Sequence, residues 1–357
     1  MRVNLSSRMV YLVLLAIMGT LVLGVIVFAL PNRFASYETE SGVLSTKTEL
    51  LSDSSASSNQ AVKFGAEVSP ILPADTPGWL IDEHNVGLEP FGLSCATLPL
   101  YTGSLSPSAG TVITEKRING VINASAGNIT IERSCIQPSS GYGMKGMINT
   151  QICSMDDCWT PTDGLVVRDS EFDASLLPAQ NIATTCALVG NGVLLRNYIH
   201  DMGSGICFFG TGTEYSGLAQ QNYVTALRSY GESHNEAATI RDLTKNAGDT
   251  RSVKFIGNRM FCDGNVTATL FLQPTWSDIY NVWVEDNYLE GGGFNLYSAG
   301  GLTGAHIGNA HAVNNRFRST GWGPAWVNNV EGWVEWSDNY IYDPGNPDAK
   351  GTIVPQP

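Results

Sequence analysis

The sequence has few charged residues, and basic residues are the scarcer kind. Charged side chains make up 15% of 357 residues, with 20 Lys or Arg against 33 Asp or Glu and a net charge of −13. Nucleic-acid binding requires clustered Lys and Arg against phosphate, so this balance argues against nucleic acid as a partner. It also disfavours long-range attraction of a polyanionic substrate. Low charge together with 38 Gly is typical of a turn-rich β protein rather than a coiled coil or a disordered chain.

Charge is completely missing between Met9 and Leu30. About 20 apolar residues suffice to cross the hydrocarbon core of a bilayer. Arg2 and Arg8 precede this stretch, so the positive-inside rule places residues 1–8 in the cytoplasm and the C-terminal domain outside the cell. We predict a transmembrane signal anchor over 9–30, and hence a single-pass protein of the cell membrane. A cleaved signal peptide is the alternative, although its apolar region would be long and no A-x-A site follows.

Seven Cys lie after the predicted anchor, on the side where disulfides persist. Cys153 and Cys158 form the most local pair. The single His residues scattered elsewhere do not complete a metal-ligand set around them. We therefore predict disulfides with at least one free thiol, and the sequence leaves their pairing open.

Residues 31–75 form a polar connector rich in Ser, Thr, Asp and Pro. Within it, Tyr37–Gly42 and Gln60–Gly65 resemble the opening strands of β-sandwich carbohydrate-binding modules. The other strands of such a module are missing, and an isolated hairpin is only marginally stable. We predict a spacer that contains this hairpin, rather than a working sugar site.

A short unit recurs eight times after residue 130. It consists of an apolar residue, two mostly polar residues, Asn or Ser, any residue and a second apolar residue. Such repetition predicts a solenoid, in which no turn can bury its apolar residues without its neighbours. Asn at each corner should adopt the bend conformation and stack its amide from coil to coil. The Asn or Ser positions are Ser134, Ser170, Asn197, Asn222, Asn258, Asn287, Asn315 and Asn339.

These features predict an all-β chain in which residues 76–345 form a right-handed parallel β-helix, followed by a tail over 346–357. Leu does not recur as in a leucine-rich repeat, and the period is too short and uneven for a propeller. A β-sandwich is the remaining alternative.

From Pro73 to about Pro344 the sequence resembles the bacterial pectate-lyase-like β-helix proteins. The resemblance is carried by the entry segment Gly110–Val121, the strand Asn128–Ser134 and the motif Asn197–Asp201. His234-Asn235-Glu236-Ala237 replaces the His-Asn-Asp-Gly of many relatives. Trp283–Asp286 resembles a lyase strand motif in which an acid binds calcium, although the repeat alone explains the acid. The resemblance implies a polysaccharide as ligand and suggests calcium as a cofactor, while no metal ligands are assigned.

Two groups of polar residues on adjacent coils form the predicted site. His200 and Asp201 follow one strand, while His234, Glu236 and Arg241 flank a strand of the next coil. The corner register places both groups on one side of the helix, where they could supply a general acid, a general base and a charge-stabilising Arg. Asn235 is assigned to substrate binding with them. The alternative is that these side chains only cap loops, as Asx side chains commonly do.

Trp residues concentrate after residue 270, which holds six of the eight. Trp322 and Trp326 flank a Gly-Pro-Ala segment between two corners, so we predict that they form a platform for sugar rings. Their alternative role is to close the open end of the solenoid. The sequence thus predicts a membrane-anchored extracellular protein that binds a polysaccharide or cell-surface glycan. Two extensions stay open: cleavage by a lyase or glycosidase mechanism, and a non-catalytic adhesion or envelope role.

Overall fold

A computed structural model describes most of the chain after residue 47. The described residues are 48–52, 60–64, 71–140, 145–150, 163–209, 216–241, 252–263, 267–275, 277–300, 304–327 and 332–357. The chain divides into two compact units, Met1–Glu67 and Val68–Pro357.

In the first unit, strands β1 (Thr48–Ser52) and β2 (Gln60–Phe64) pair antiparallel. Strand β2 coincides with the second predicted strand of the hairpin, whereas the first, 37–42, lies outside the described residues. The predicted membrane span over 9–30 lies outside them as well. Among the described residues, no helix is both long and apolar enough to cross a bilayer.

The second unit is built from three long sheets, named here A, B and C in the order in which the chain visits them. Sheet A contains β3 (Val112–Thr114), β6 (Thr130–Glu132), β9 (Val166–Arg168), β12 (Val193–Leu195), β15 (Gly217–Gln220), β18 (Val253–Ile256), β21 (Ile279–Glu285), β24 (Ile307–Val313) and β27 (Trp333–Ser337). Sheet B contains β4 (Arg117–Ile118), β7 (Cys135–Ile136), β10 (Glu171–Asp173), β13 (Tyr198–His200), β16 (Tyr223–Thr225), β19 (Arg259–Cys262), β22 (Tyr288–Gly291), β25 (Arg316–Arg318), β28 (Tyr340–Tyr342) and β29 (Lys350–Ile353). Sheet C contains β5 (Ile122–Asn123), β8 (Gly146–Asn149), β11 (Cys186–Gly190), β14 (Ser204–Phe209), β17 (Ala238–Arg241), β20 (Ala268–Gln273), β23 (Phe294–Ser298) and β26 (Gly323–Val327).

From β3 to β28, neighbouring strands within each sheet are three places apart in the chain and pair in parallel, as β12 does with β9 and β15. This order is the one that a parallel solenoid produces, because every coil adds one strand to each sheet. The predicted all-β class is confirmed, and parallel pairing distinguishes the fold from the antiparallel sandwich. One short helix, α1 (Ala179–Ile182), and three 3-10 turns, Gly78–Leu80, Glu89–Phe91 and Pro347–Ala349, complete the described elements.

The core lies inside the coils. In sheet A, one inward row joins residues of equal register from coil to coil, and its members are completely buried. Because alternate residues of a strand point to opposite faces, the next position along each strand faces away from this core. The inward row contains Ile131, Val167, Leu194, Ala219, Phe255, Val284 and Ala312.

The eight predicted corner residues form a continuous hydrogen-bond ladder between sheets A and B. Asn222 Nδ2 donates to Asn258 Oδ1 at 2.9 Å, and Asn258 Nδ2 donates to Asn287 Oδ1 at 3.0 Å. The second Nδ2 proton of Asn222 goes to the Leu194 carbonyl at 3.0 Å. Ser134 and Ser170 begin the ladder, because the Ser134 amide donates to Ser170 Oγ.

The expectation that Asn itself adopts the bend is wrong by one residue. The residue before each Asn or Ser has the positive φ, for example 52° at Arg196 and 57° at Asp286. The bend at the preceding residue turns the chain, so that the Asn side-chain amide points along the axis of the solenoid towards the Asn of the next coil. Asp286 is therefore a corner residue and accepts from Asn314 Nδ2 at 2.6 Å.

Residues 73–100 form a strap that runs along the outside of sheet B, ahead of the first coil. The Arg316 guanidinium lies 4.1 Å from the centre of the Trp79 ring, and Arg259 Nη1 donates to the Ile81 carbonyl at 2.8 Å. Both Arg residues belong to rows of sheet B that face away from the core, so the strap covers them.

The strap approaches the coils closely and is tied to them covalently. A Cβ atom on Gly78 would lie 2.1 Å from the Asn258 carbonyl oxygen, so no larger residue fits there. Cys95 forms a disulfide with Cys135 of strand β7.

The prediction of disulfides is confirmed for the described Cys residues. A second disulfide joins Cys186 to Cys207 across neighbouring strands of sheet C, and Cys262 is buried with its Sγ 3.2 Å from the Asn235 carbonyl oxygen. Cys153 and Cys158 lie outside the described residues.

The end of the chain folds back against the last coil. Within the predicted tail, β29 pairs antiparallel with β28, the only antiparallel pair described in sheet B. The Trp336 indole donates to the Val354 carbonyl at 2.8 Å, and Val354 is buried. The tail therefore covers the final strand of sheet B.

Candidate functional site

His200 is held by carboxylates at the outer surface of sheet B. Its Nδ1 lies 2.8 Å from Asp201 Oδ2, and its Nε2 lies 3.1 Å from Glu171 Oε1. Asp173, on the preceding coil, pairs in register with His200, and its Oδ1 lies 3.9 Å from Nδ1. Tyr198 stacks against the imidazole at 4.4 Å.

This cluster stabilises the charged form of His200. Burial lowers the pKa of the imidazole, but hydrogen bonds to Glu171 and Asp201 and the charge of Asp173 outweigh it, so the pKa is raised. Each ring nitrogen faces a carboxylate oxygen, and both nitrogens can donate at once only when the imidazole is protonated. The ligand atoms of Asp173, His200 and Asp201 lie within 4.8 Å of one another, close enough for a cation. An imidazolium and a calcium ion would compete for the same carboxylates, so the cluster gives the calcium hypothesis no separate support.

The second predicted group lies where the chain enters sheet C. His234 is exposed, with Nδ1 3.2 Å from Thr267 Oγ1. Asn235 is completely buried, and its Nδ2 donates to the carbonyls of Ala183 and Gly203, both at 2.7 Å. Its amide therefore holds the loop in place and is not available to a substrate.

Glu236 and Arg241 begin and end the strand region around β17. Burial raises the pKa of Glu236 to about 8, although the charge of Arg241 acts in the opposite direction. The Arg241 guanidinium lies 5.8 Å from the centre of the Phe209 ring. A Glu with this pKa is mostly protonated at neutral pH, as general acids are.

The two predicted groups do not form one constellation. Within the described part of the chain, no hydrogen bond or ion pair joins His200 or Asp201 to His234, Glu236 or Arg241. Arg228 lies beside Asp201 instead, with Nε 2.9 Å from its carbonyl oxygen. His200 ends strand β13 of sheet B, whereas residues 234–236 precede strand β17 of sheet C.

Trp322 and Trp326 belong to a larger set of rings, here called the aromatic face, on the outer side of sheet C. Trp326 stacks against Phe294 at 5.7 Å, and Trp322 meets the same ring edge-on at 5.4 Å. Phe271 and Tyr297 stack at 4.9 Å with planes 2° apart. The members of the aromatic face are Phe271, Phe294, Tyr297, Trp322 and Trp326.

Exposure increases along the aromatic face towards the last coil. Phe271 is 7% exposed, whereas Trp326 is 48% and Trp322 73% exposed. Strand β26, which carries Trp326, is the last described strand of sheet C, so no described strand of that sheet follows it and adds a side chain next to this indole. Large exposed ring surfaces fixed by stacking are suited to sugar rings, which present apolar faces and polar edges.

The members of the aromatic face on strands β20, β23 and β26 belong to two outward rows of sheet C. Pairing places Thr239 opposite Phe271, then Tyr297, then Trp326. The other row places Ala268 opposite Phe294. Glu236 lies two residues before strand β17, outside this pairing. Thr239 is therefore the polar residue of the row that leads to the aromatic face, and it is buried.

Phe271, Phe294 and Tyr297 are not among the predicted site residues, and neither are Glu171 and Asp173. The corner register contains the signal for the two acids, because they follow Ser170 at the same offsets as Tyr198 and His200 follow Asn197. The three rings follow loops of unequal length, so their offsets from the corners give no register.

No protein-family model, curated protein or solved structure matches this chain. The resemblance to pectate-lyase-like proteins therefore stays a prediction.

Proposed function

We propose that the chain is a cell-surface protein that binds a polysaccharide or cell-surface glycan on the outer side of sheet C. The observation that carries this proposal is the exposure of Trp322 and Trp326 beside stacked Phe294. Monomeric soluble proteins rarely expose large apolar surface without a binding partner. Rings held at fixed orientation lose little conformational entropy when a ligand covers them.

The finer architecture belongs to the same proposal. The coil is a right-handed parallel β-helix, because crossovers between parallel strands are right-handed in about 98% of cases. The uncharged segment 9–30 is the membrane helix, and the solenoid lies outside the cell. Two disulfides among the described residues support this placement, since disulfides persist in oxidising compartments.

Cleavage of the bound polysaccharide is a second candidate function. The raised pKa of Glu236 favours it, because a protonated carboxyl beside Arg241 could protonate a leaving group. Glycoside hydrolysis also needs a second carboxylate, and the described strands of sheet C contain no Asp or Glu. Binding without catalysis, as in an adhesin, does not need this second carboxylate.

The test uses the full-length chain in a detergent without a sugar headgroup, titrated with neutral and uronate-rich polysaccharides. We expect Trp326→Ala and Trp322→Ala each to weaken binding roughly tenfold, since a stacked ring contributes about 1–1.5 kcal/mol. Trp283→Ala is the matched control, because this indole stacks on His311 at 4.9 Å on sheet A. If the wild-type chain binds none of the polysaccharides, or the two variants bind as wild type does, the proposal is wrong.

The same mixtures distinguish catalysis from binding. A lyase product absorbs in the ultraviolet through its new double bond, whereas a hydrolase releases reducing ends without that absorbance. Binding with neither signal assigns the non-catalytic role.

A further inference from the structure

The two exposed indoles of the aromatic face do not lie in one plane. Trp326 stacks on Phe294 with an angle of 25° between the planes, whereas Trp322 meets the same ring at 65°. The planes of the two indoles are therefore inclined to each other by at least 40°, the difference between these two angles. Both indoles have their centres within 5.7 Å of the centre of the Phe294 ring, so neighbouring sugars of one chain can reach both.

The orientation of each indole is set by the backbone that carries it. The Trp322 amide donates to the Gly293 carbonyl at 2.5 Å. A Cβ atom on Gly293 would lie 2.7 Å from two carbons of the Trp322 indole, so this ring rests on a position that only Gly leaves open. Trp326 belongs to strand β26, where it pairs in register with Tyr297. The inclination is therefore a property of the fold and is present before a ligand binds.

This inclination decides which shape of glycan can contact both indoles. A sugar binds an aromatic ring face to face, because its apolar face covers the ring while its polar edge stays in water. A flat ribbon of sugars presents coplanar faces, so it can lie on Trp326 or on Trp322 but not on both. A chain whose successive sugars are inclined to one another can place one face on each. Trp326 is 48% and Trp322 73% exposed, so both indoles are open to such a chain.

The strands that carry the aromatic face have no charged side chain. Strands β20, β23 and β26 contain no Asp, Glu, Lys or Arg. Glu290 and Arg318 precede β23 and β26 on sheet B, and they form an ion pair with each other at 3.5 Å. The chain also has a net charge of −13, which repels polyanions. A neutral glycan therefore fits this face better than a uronate-rich one.

We propose that Trp322 and Trp326 bind a neutral glycan whose successive sugars are inclined to one another, and that Trp322 selects such a chain over a flat one. This inference rests on the proposed function, and it names the ligand class and the specificity-determining residue of the same site. Trp326 contributes to the binding of any sugar chain, whereas Trp322 contributes only when the chain turns away from the plane of Trp326.

The experiment compares three neutral glucose hexamers that differ in linkage and hence in shape. Cellohexaose is a flat ribbon, whereas laminarihexaose and maltohexaose are curved chains of the same composition, length and charge. Calorimetric titration of the full-length chain, in a detergent without a sugar headgroup, measures each affinity. We expect the wild type to bind at least one curved hexamer about tenfold more tightly than cellohexaose, because a flat chain loses one of the two ring contacts.

Two substitutions separate the roles of the indoles. Trp322→Ala should weaken the binding of the preferred curved hexamer about tenfold and leave that of cellohexaose unchanged, so that the preference disappears. Trp326→Ala should weaken the binding of both about tenfold. Trp283→Ala, whose indole lies on sheet A against His311, is the matched control and should keep the wild-type preference. A single cooperative thermal transition in each variant establishes that it is folded.

The outcomes distinguish this inference from the proposed function. If cellohexaose binds as tightly as both curved hexamers, or if Trp322→Ala weakens the binding of all three hexamers equally, the indoles do not select shape and the inference is wrong. If the wild type binds none of the hexamers, or binds an oligogalacturonate more tightly than any of them, the assigned ligand class is wrong. In each of these cases the polysaccharide titrations still decide the proposed function.

Discussion

His200 shows how one side chain can join two coils of the solenoid. Its imidazole bridges Asp201 on its own coil and Glu171 on the preceding one, with Asp173 nearby. The side chain is 12% exposed, so solvent screens these contacts only in part. Such a bridge stabilises the fold only while the imidazole is charged.

The stability of the chain should therefore depend on pH through His200. The folded-state pKa is raised above the ordinary value of 6.5, so the contribution is complete below about pH 6.5 and is lost as pH rises through the folded-state value. We expect His200→Gln to lower the melting temperature more at pH 5.5 than at pH 8.5. His234→Gln is the matched control, because this exposed imidazole faces the neutral hydroxyl of Thr267 rather than a carboxylate. Equal losses at both pH values would contradict the bridge.

For single residues, the sequence predicts which side chains form hydrogen bonds better than it predicts the residues to which they bond. His200 and Asp201 are adjacent in sequence, so their contact could be predicted. Glu171 comes from the coil before, 29 residues earlier, and becomes visible only by counting from the corner residues. Glu236 could be selected as polar, but its pKa depends on burial by residues that are distant in sequence.

The strap is the element that departs most from the repeat. It contributes backbone carbonyls and one ring to side chains on sheet B, as Ile81 does to Arg259 and Trp79 to Arg316. No repeated motif marks residues 73–100, and the contacts use main-chain groups that every residue possesses. The sequence therefore predicts the coils, whose pattern recurs, but not the segment that lies over them.

A substitution at Gly257 can test how closely the strap packs against the coils. It replaces the usual polar residue at a corner bend, with φ 62°, and a Cβ atom there would lie 2.6 Å from the Thr76 carbonyl oxygen. Gly231 has φ 61° with nothing within 4 Å of the same position. We expect Gly257→Ala to lower the free energy of unfolding by about 1–3 kcal/mol more than Gly231→Ala does. Equal effects in chemical denaturation would mean that the strap does not pack on this corner.

The last coil of the solenoid would leave edge strands with unpaired backbone N–H and C=O groups, which can pair with other chains. Strand β29 pairs antiparallel with β28, and the Val354 carbonyl accepts a hydrogen bond from the Trp336 indole. The edge strand of sheet C contains Pro324, which cannot donate to another strand. The repeat predicts that the solenoid has an open end that must be closed. It does not predict the antiparallel strand β29, because this strand follows Asn339, the last repeated corner residue.

Removing residues 350–357 should expose β28 to other molecules. We expect the truncated chain to form dimers and larger species at concentrations where the full chain is a single species, because an uncovered strand pairs readily with another edge. Light scattering after size-exclusion chromatography measures this. A chain ending at Ile353 keeps β29 and is the control. If both shortened chains behave as wild type does, β29 does not protect the edge.

The amide ladder also gives the rod an electrical direction. From Asn197 to Asn315 each Nδ2 donates to the Oδ1 of the following coil, and no Nδ2–Oδ1 bond described in the ladder runs the other way. The second Nδ2 proton goes to a backbone carbonyl of the preceding coil, as in Asn222. Dipoles aligned head to tail polarise one another and add along the axis, as peptide dipoles do in a helix. The row of amides therefore carries a dipole along the axis of the solenoid, with its donor end at the last coil.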